Sequence, residues 1–242
     1  MSFLLTNKTI VITGAAGGIG SELSRVCAEL GANLVLIDLE EPLSLANELR
    51  AARKNISVIT AALDVRDRAG VESLLKQIPE IDAIVANAGF CPWDDWNDSN
   101  WDEVFRTTID INALGVINFA RPGLQRLIEQ GFGRMIVVSS VAARMGGLKA
   151  SPHYVVAKAG LNGLVKWLAR HAAPHGVLVN GVAPGATITG MTRGQVFDTE
   201  TIPIKRFATP REIALPIAFL CSEASSYICG TILDVNGGVY MN

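Results

Sequence analysis

Tyr154 and Lys158 stand four residues apart in the stretch "SPHYVVAKAGLNG" (151–163), which reads as a helix. An α-helix brings side chains at that spacing to one face. A free tyrosine has a pKa near ~10 and is a poor base at neutral pH. A fixed cation beside it favours the phenolate and lowers that pKa. So arranged, Tyr154 can give a proton to a carbonyl oxygen or take one from an alcohol. Such pairs also occur on many wet helix faces, so the chemistry depends on what else the chain brings to this one.

A second group of residues has chemistry in its backbone. "TGAAGGIG" (Thr13–Gly20) follows an apolar strand and opens a helix, with Gly14, Gly18 and Gly20 as its punctuating positions. Glycine lets the chain turn tightly and lets backbone N–H groups approach a pyrophosphate, while the helix N-terminus adds its dipole. The next strand ends in Asp38, where an acid can accept both ribose hydroxyls of an adenosine. Asp38, with Glu40 and Glu41 behind it, would repel a 2′-phosphate, and "GAAGGIG" holds no Arg or Lys to bind one. The electrostatics favour NAD over NADP. The alternative is that Asp38 only ends a strand.

These residues need elements to position them. "TIVIT" (9–13), "NLVLID" (33–38), "ISVITAAL" (56–63), "DAIVAN" (82–87), "RMIVVSS" (134–140), "GVLVNGVA" (176–183) and "TILDV" (231–235) read as strands. Their near-continuous Val- and Ile-rich character suits strands buried on both faces of a parallel sheet. Helical patterns fall at 18–30, 42–53, 67–78, 100–129, 152–173 and 210–222. The last opens on Thr209-Pro210-Arg211-Glu212, a cap, a first-turn proline and a Glu three residues past the cap. The alternation predicts an α/β fold, a doubly wound, Rossmann-like, seven-stranded parallel sheet with helices on both faces. No composition break splits the chain, so 1–242 reads as a single dinucleotide-binding catalytic domain. Residues 189–208 lack periodicity and read as a mobile substrate loop or lid.

Composition narrows the function classes. The 242 residues are 49% hydrophobic and 18% charged, enough apolar material for a large core. The net charge of -2 and the absence of Lys/Arg runs argue against a nucleic-acid partner. There is no secretory signal pattern at the N-terminus and no membrane-length apolar run, so a cytoplasmic, membrane-free protein is expected. Cys27, Cys91, Cys221 and Cys229 form no CxxC pair and have no His at ligand spacing, so no metal site and no disulfide framework are expected. Cys91 alone lies near a candidate site loop.

Jointly, the motifs resemble the short-chain dehydrogenase/reductase family over almost the whole chain. "TGAAGGIG" matches the family's TGxxxGxG turn. "LDV" (63–65) is similar to the Asp-Val pair that contacts adenine, "ANAG" (86–89) to NNAG with Ala86 in place of the first Asn, and "IN" (111–112) to the helix Asn. "VVSSV" (137–141) resembles the strand that ends in a catalytic Ser, "YVVAK" (154–158) matches YxxxK, and "PGATIT" (184–189) resembles PGxIxT. The resemblance implies catalytic roles for Asn112, Ser140, Tyr154 and Lys158. Ser139 is an alternative to Ser140, which fits better. It implies cofactor contacts from Gly14, Gly18, Ile19, Gly20, Asp38, Asp64, Val65, Asn87, Ala88, Gly89, Tyr154, Lys158, Pro184, Gly185, Thr187 and Thr189. Ser140 would bind the reactant oxygen, Lys158 the nicotinamide ribose, and Asn112 a water linking Lys158 to solvent. Two departures stand out. The Ser–Tyr gap is slightly long, which suggests an insertion near 144–152, and Thr187 replaces the usual Ile.

The expectation is then an NAD-dependent oxidoreductase moving a hydride between the nicotinamide and a secondary alcohol or ketone. The alternatives are an NADP-dependent 3-oxoacyl thioester reductase and a non-catalytic nucleotide sensor on the same fold. Substrate walls are expected from 90–96, 144–153 and 189–208. Arg144, Lys149 and Arg193 either bind an anionic group on the substrate or are solvated surface charges. The alternative is that Trp93 and Trp96 line an apolar pocket. The resemblance also implies a homo-oligomer, a tetramer or dimer, built through the helices at 100–129 and 152–173.

Overall fold

In the computed structural model, which describes residues 3–147, 149–195 and 198–242, seven strands form one sheet. They are β1 (Thr9–Thr13), β2 (Asn33–Asp38), β3 (Val58–Ala62), β4 (Ala83–Ala86), β5 (Gly133–Val138), β6 (Val177–Pro184) and β7 (Ile232–Val235). Every pairing is parallel, in the order β3-β2-β1-β4-β5-β6-β7. The helices are α1 (Gly18–Glu29), α2 (Leu43–Ala52), α3 (Arg68–Gln77), α4 (Trp101–Ile109), α5 (Gly115–Gln130), α6 (Ala142–Met145), α7 (Pro152–Ala172) and α8 (Pro210–Cys221).

Alternate strand residues point to opposite faces, and both faces are covered. Ile10, Ile12, Leu34 and Leu36 pack under α1, α2 and α8 through Leu23, Val26, Leu49, Ile213 and Ile217. Val11, Val35, Ile37 and Ile84 pack under α3, α5 and α7 through Leu75, Phe119, Leu127, Leu161 and Val165. Fully burying one such side chain is worth about 1.5–3 kcal/mol, so the sheet is a rigid platform for its strand ends.

The chain runs outward in opposite directions from β1 and β4, leaving a crevice at their carboxyl ends, where ligands bind in open α/β sheets. The glycine turn, Asp38, the segment after β4, Ser139–Ser140 and Pro184–Gly185 all lie at strand carboxyl ends along this edge.

Two elements differ from the sequence expectation. The helix expected over 100–129 is broken into α4 and α5 by a five-residue π-helical turn, Asp110–Leu114. A π-turn keeps helical dihedrals and adds one residue per turn, so hydrophobic periodicity does not reveal it. Between β5 and α7 sits α6, one short turn where the long Ser–Tyr gap suggested an insertion. The loop after β6 contains 3-10 turns at Gly190–Thr192 and Thr199–Thr201 and a bridge between Thr187 and Ala208. Residues 196 and 197 of the expected 189–208 loop, and 148 of the expected 144–153 wall, lie outside the described residues.

Candidate active site

The glycine turn closes on itself. Gly14 takes φ +64°, a left-handed conformation that L side chains rarely adopt, and a Cβ on Gly20 would sit 2.0 Å from the Gly14 carbonyl oxygen. A Cβ on Gly18 would meet Thr189 at 2.7 Å, so the loop after β6 packs directly on the turn. No side chain caps the N-terminus of α1 and no acid lies in its first turn, which leaves its N–H groups and positive dipole end for an anion. Asp38 bridges the next edge, its Oδ2 accepting from the Ala16 N–H and its Oδ1 from the Leu39 N–H, both at 2.8 Å. It thus holds the turn as well as lining the cavity.

Thr13 and Asn87 lock β4 to that turn. Thr13 Oγ1 accepts from the Asn87 and Ala88 N–H groups at 3.0 Å, and Asn87 Nδ2 donates to the Thr13 and Gly14 carbonyls at 2.9 and 3.1 Å. Thr13 was missed as a site-building residue, although it opens the quoted glycine motif. After β3, Arg66 grips Asp64, with Nη2 to Oδ2 at 2.6 Å. That guanidinium holds the Asp64 carboxyl below its ordinary range. Val65 packs against Gly115, where a Cβ would come within 2.6 Å of it.

One cavity of about 760 Å³ connects this cradle to the acid–base residues. Gly14, Gly18, Ile19, Gly20, Asp38, Asp64, Val65, Asn87, Ala88, Gly89, Ser140, Tyr154, Lys158, Pro184, Gly185, Thr187 and Thr189 all line it. Asn112 does not. It is buried in the π-turn, where Nδ2 donates to the Phe90 and Thr108 carbonyls at 2.7 and 2.9 Å and Oδ1 accepts from the Phe90 N–H at 3.2 Å. Both amide hydrogens are spent, one on the segment after β4 and one on a carbonyl of α4. A water-holding role would therefore fall to its main chain.

The two serines separate. Ser139 Oγ is buried against α7, 2.8 Å from Asn162 Oδ1 and 3.1 Å from the Lys158 carbonyl. Ser140 Oγ accepts from the Ala142 N–H at 3.1 Å and hydrogen-bonds toward the Tyr154 phenol. Ser140, not Ser139, is the hydroxyl paired with Tyr154.

Lys158 Nζ lies 5.7 Å from the Tyr154 ring centroid and donates to the Val138 carbonyl at 2.9 Å. The expectation that it lowers the Tyr154 pKa is not met in the protein without cofactor. Burial pushes the phenol up, the neighbouring Cys91 adds to that, and the Ser140 hydrogen bond only partly opposes it. Burial also brings the Lys158 ammonium down to about 8, against a smaller upward pull from Cys91. Desolvation disfavours each charge, and the ammonium is aimed at a carbonyl rather than at the phenol oxygen.

Beyond the glycine turn the cavity is also lined by Phe90, Cys91, Trp93, Met145, Met191, Ile202 and Val239. Trp93 Nε1 donates to the Met191 carbonyl at 2.9 Å, joining the two walls. Trp96 is exposed and packs on Trp101 instead. Of the three cations considered for an anionic group, Lys149 lines the cavity and Arg193 does not. Arg144 turns away to Asp234, with Nε to Oδ1 at 3.1 Å, and its guanidinium stacks over Tyr240. The three do not form a clamp.

Comparison with known proteins agrees with this architecture. Residues 14–240 match the family model described as Enoyl-(Acyl carrier protein) reductase. The chain is 37% identical to Oxidoreductase UcpA of Salmonella typhimurium, over 97% of this chain and 95% of that protein. It is 33% identical to 3-oxoacyl-[acyl-carrier-protein] reductase FabG of Rickettsia felis, over 98% of each. A short-chain type dehydrogenase/reductase from Mycobacterium marinum superimposes with a TM-score of 0.93 at 28% identity, covering 99% of this chain and 98% of that one. With its parallel seven-stranded sheet and glycine turn, the chain belongs to the short-chain dehydrogenase/reductase family of oxidoreductases.

Proposed function

We propose that the protein is an NAD-dependent dehydrogenase/reductase that acts on a secondary alcohol or the corresponding ketone. The observation that carries this reading is that Tyr154, Ser140 and Lys158 share one cavity with the α1 N-terminus and Asp38. The dinucleotide supplies or accepts the hydride. The residues fit it: the cradle excludes any Cβ at Gly20, the helix end is uncapped, and Asp38 faces the cavity.

In the reductive direction Tyr154, kept protonated by burial, donates its proton to the carbonyl oxygen. Ser140 donates a hydrogen bond to the same oxygen and steadies charge as it develops. Lys158, with a pKa brought down to about 8, can exchange a proton near neutral pH and so restore the one Tyr154 gives up. Oxidation of an alcohol runs the same transfers backward. Asn112 acts on neither reactant directly; it holds Phe90 and the wall beside it.

NAD is favoured because Asp38 and the exposed Leu39 stand where a 2′-phosphate would need a cation. Arg66 also lines the cavity, but its guanidinium is committed to Asp64. A second reading, reduction of a 3-oxoacyl thioester, draws support from the similarity to FabG of Rickettsia felis. A panel of ketones, alcohols and a 3-oxoacyl thioester, each run with both nicotinamide cofactors at 340 nm, tests the assignment. Turnover of simple secondary alcohols with NAD, lost in Tyr154→Phe, is the expected result. Turnover confined to the thioester with NADPH would replace the first reading by the second. No turnover with any of them, with wild-type dinucleotide binding intact, would favour a nucleotide sensor.

A further inference from the structure

The residue before Tyr154 is fully buried and polar. His153 has no solvent exposure, stacks on Trp101 with centroids 5.5 Å apart, and meets the edge of Phe105. Its Nδ1 accepts from the backbone N–H of Tyr154 at 2.9 Å. A nitrogen that accepts carries no proton, so the ring proton sits on Nε2. Nε2 therefore donates to Asp94 Oδ2, 3.0 Å away. Asp94 Oδ1 accepts from the Ser151 hydroxyl.

That arrangement explains an oddity of α7. Ser151 is its N-cap residue, yet its hydroxyl makes no capping bond. It is diverted to Asp94, and the His153 ring takes an amide of the first turn in its place. Asp94 puts a carboxylate at the positive end of the helix dipole, a favourable site for it. Burial of Asp94 opposes ionisation, but the bonds from Ser151 and His153 prevail and hold its carboxyl below the ordinary range.

Asp94 directly follows Trp93, whose indole reaches across to Met191. The segment 90–94 is thus tied on one side to the loop after β6 and on the other to the turn that carries Tyr154. Phe90, Cys91 and Trp93 from this segment line the reactant end of the cavity. We propose that Asp94 and His153 are positioning residues that latch this wall to the first turn of α7 and so set how the reactant is held against Tyr154. The proposal rests on the oxidoreductase reading above. Neither residue touches the reacting atoms. Their effect belongs to reactant recognition, because the dinucleotide cradle lies at the other end of the cavity.

The test compares His153→Phe, which keeps an aromatic ring for Trp101, His153→Gln, which returns a donor to Asp94, and Asp94→Ala. Losing a charge-assisted hydrogen bond of this kind corresponds to about a tenfold effect or more. His153→Phe and Asp94→Ala are each expected to raise the reactant KM by about that factor and to leave the dinucleotide KM within about twofold. The double variant is expected to be no worse than the poorer single one, because both remove the same bond. His153→Gln is expected to recover a large part of the loss. A reactant KM that stays within twofold in both single variants, whatever happens to their thermal stability, overturns the proposal. So does an equal rise in both KM values. Amide hydrogen exchange over 90–94 separates this from failure of the functional reading. If the wild type turns over no alcohol or ketone, that reading falls, while faster exchange in His153→Phe and Asp94→Ala still supports the latch and unchanged exchange refutes it.

Discussion

Tyr154 shows how a motif can name a residue and miss its protonation. The spacing to Lys158 places both on one face of α7, as expected, but the buried site favours the neutral form of each. The sign follows. A phenol whose folded pKa is raised stays protonated to higher pH than in the unfolded chain, so the stability it contributes is present below pH ~10 and is lost as pH rises above that. Phenolate absorbance near 295 nm, taken as wild type minus Tyr154→Phe, is expected to stay flat up to pH ~10 in the free protein. A phenolate signal appearing near neutral pH would show that Lys158 controls the phenol without cofactor. Lys158 runs the other way. With its folded pKa lowered to about 8 from 10.5, its contribution to stability rises with pH across that window. Lys158→Met is expected to flatten the rise when unfolding is measured from pH 8 upward. Asp38 allows a separate test. Asp38→Asn keeps an acceptor for the Ala16 or Leu39 amide but removes the charge proposed to repel a 2′-phosphate, and a local charge is worth about 1.4 kcal/mol, or tenfold. The NAD-over-NADP ratio of kcat/KM is expected to fall by about that factor, whereas an unchanged ratio would remove Asp38 from cofactor choice.

Elements are where the apolar patterning was most informative. The seven strands fall on the apolar runs, β1 and β2 end to end and the others with ends shifted by at most two residues, because the five central strands are buried on both faces; the edge strands β3 and β7 are only partly covered. The start of α8 was also legible. Thr209 Oγ1 accepts from the Glu212 N–H, and Glu212 Oε2 accepts from the Thr209 N–H at 2.8 Å. Thr209→Ala is expected to cost about 1 kcal/mol of stability and to leave kcat and both KM values unchanged. What patterning did not show is the π-turn that buries Asn112. There a single buried side chain bonds both the Phe90 amide and its carbonyl, and Asn112→Ala removes both bonds, at about 0.5–1.5 kcal/mol each. Urea unfolding is expected to rank Asn112→Ala as more damaging than Thr209→Ala. The reverse order would mean that Asn112 does not anchor that segment.

At the scale of the whole molecule, the cavity joins the carboxyl ends of β1 to β6 around the switch between β1 and β4, so its ligand should stabilise the fold as a unit. At about 100 times its Kd a ligand adds ~2.7 kcal/mol, or roughly 5–10 °C in Tm for a chain of this size. NAD is expected to give that shift and NADP a smaller one; equal shifts would remove the cofactor preference. The amino-acid order alone determined the alternation of strands and helices, the glycine turn and the helical spacing of Tyr154 and Lys158. Each of these is a local pattern, set by periodicity, by glycine's freedom and by side chains a few residues apart. Only the tertiary structure decided which serine meets Tyr154, that Arg144 is spent on Asp234, 90 residues away, and that His153 finds Asp94 across 59 residues. It also decided the direction in which Tyr154 titrates. Burial and pairing at a site are sums over groups brought together from distant parts of the chain, and no local spacing encodes such a sum.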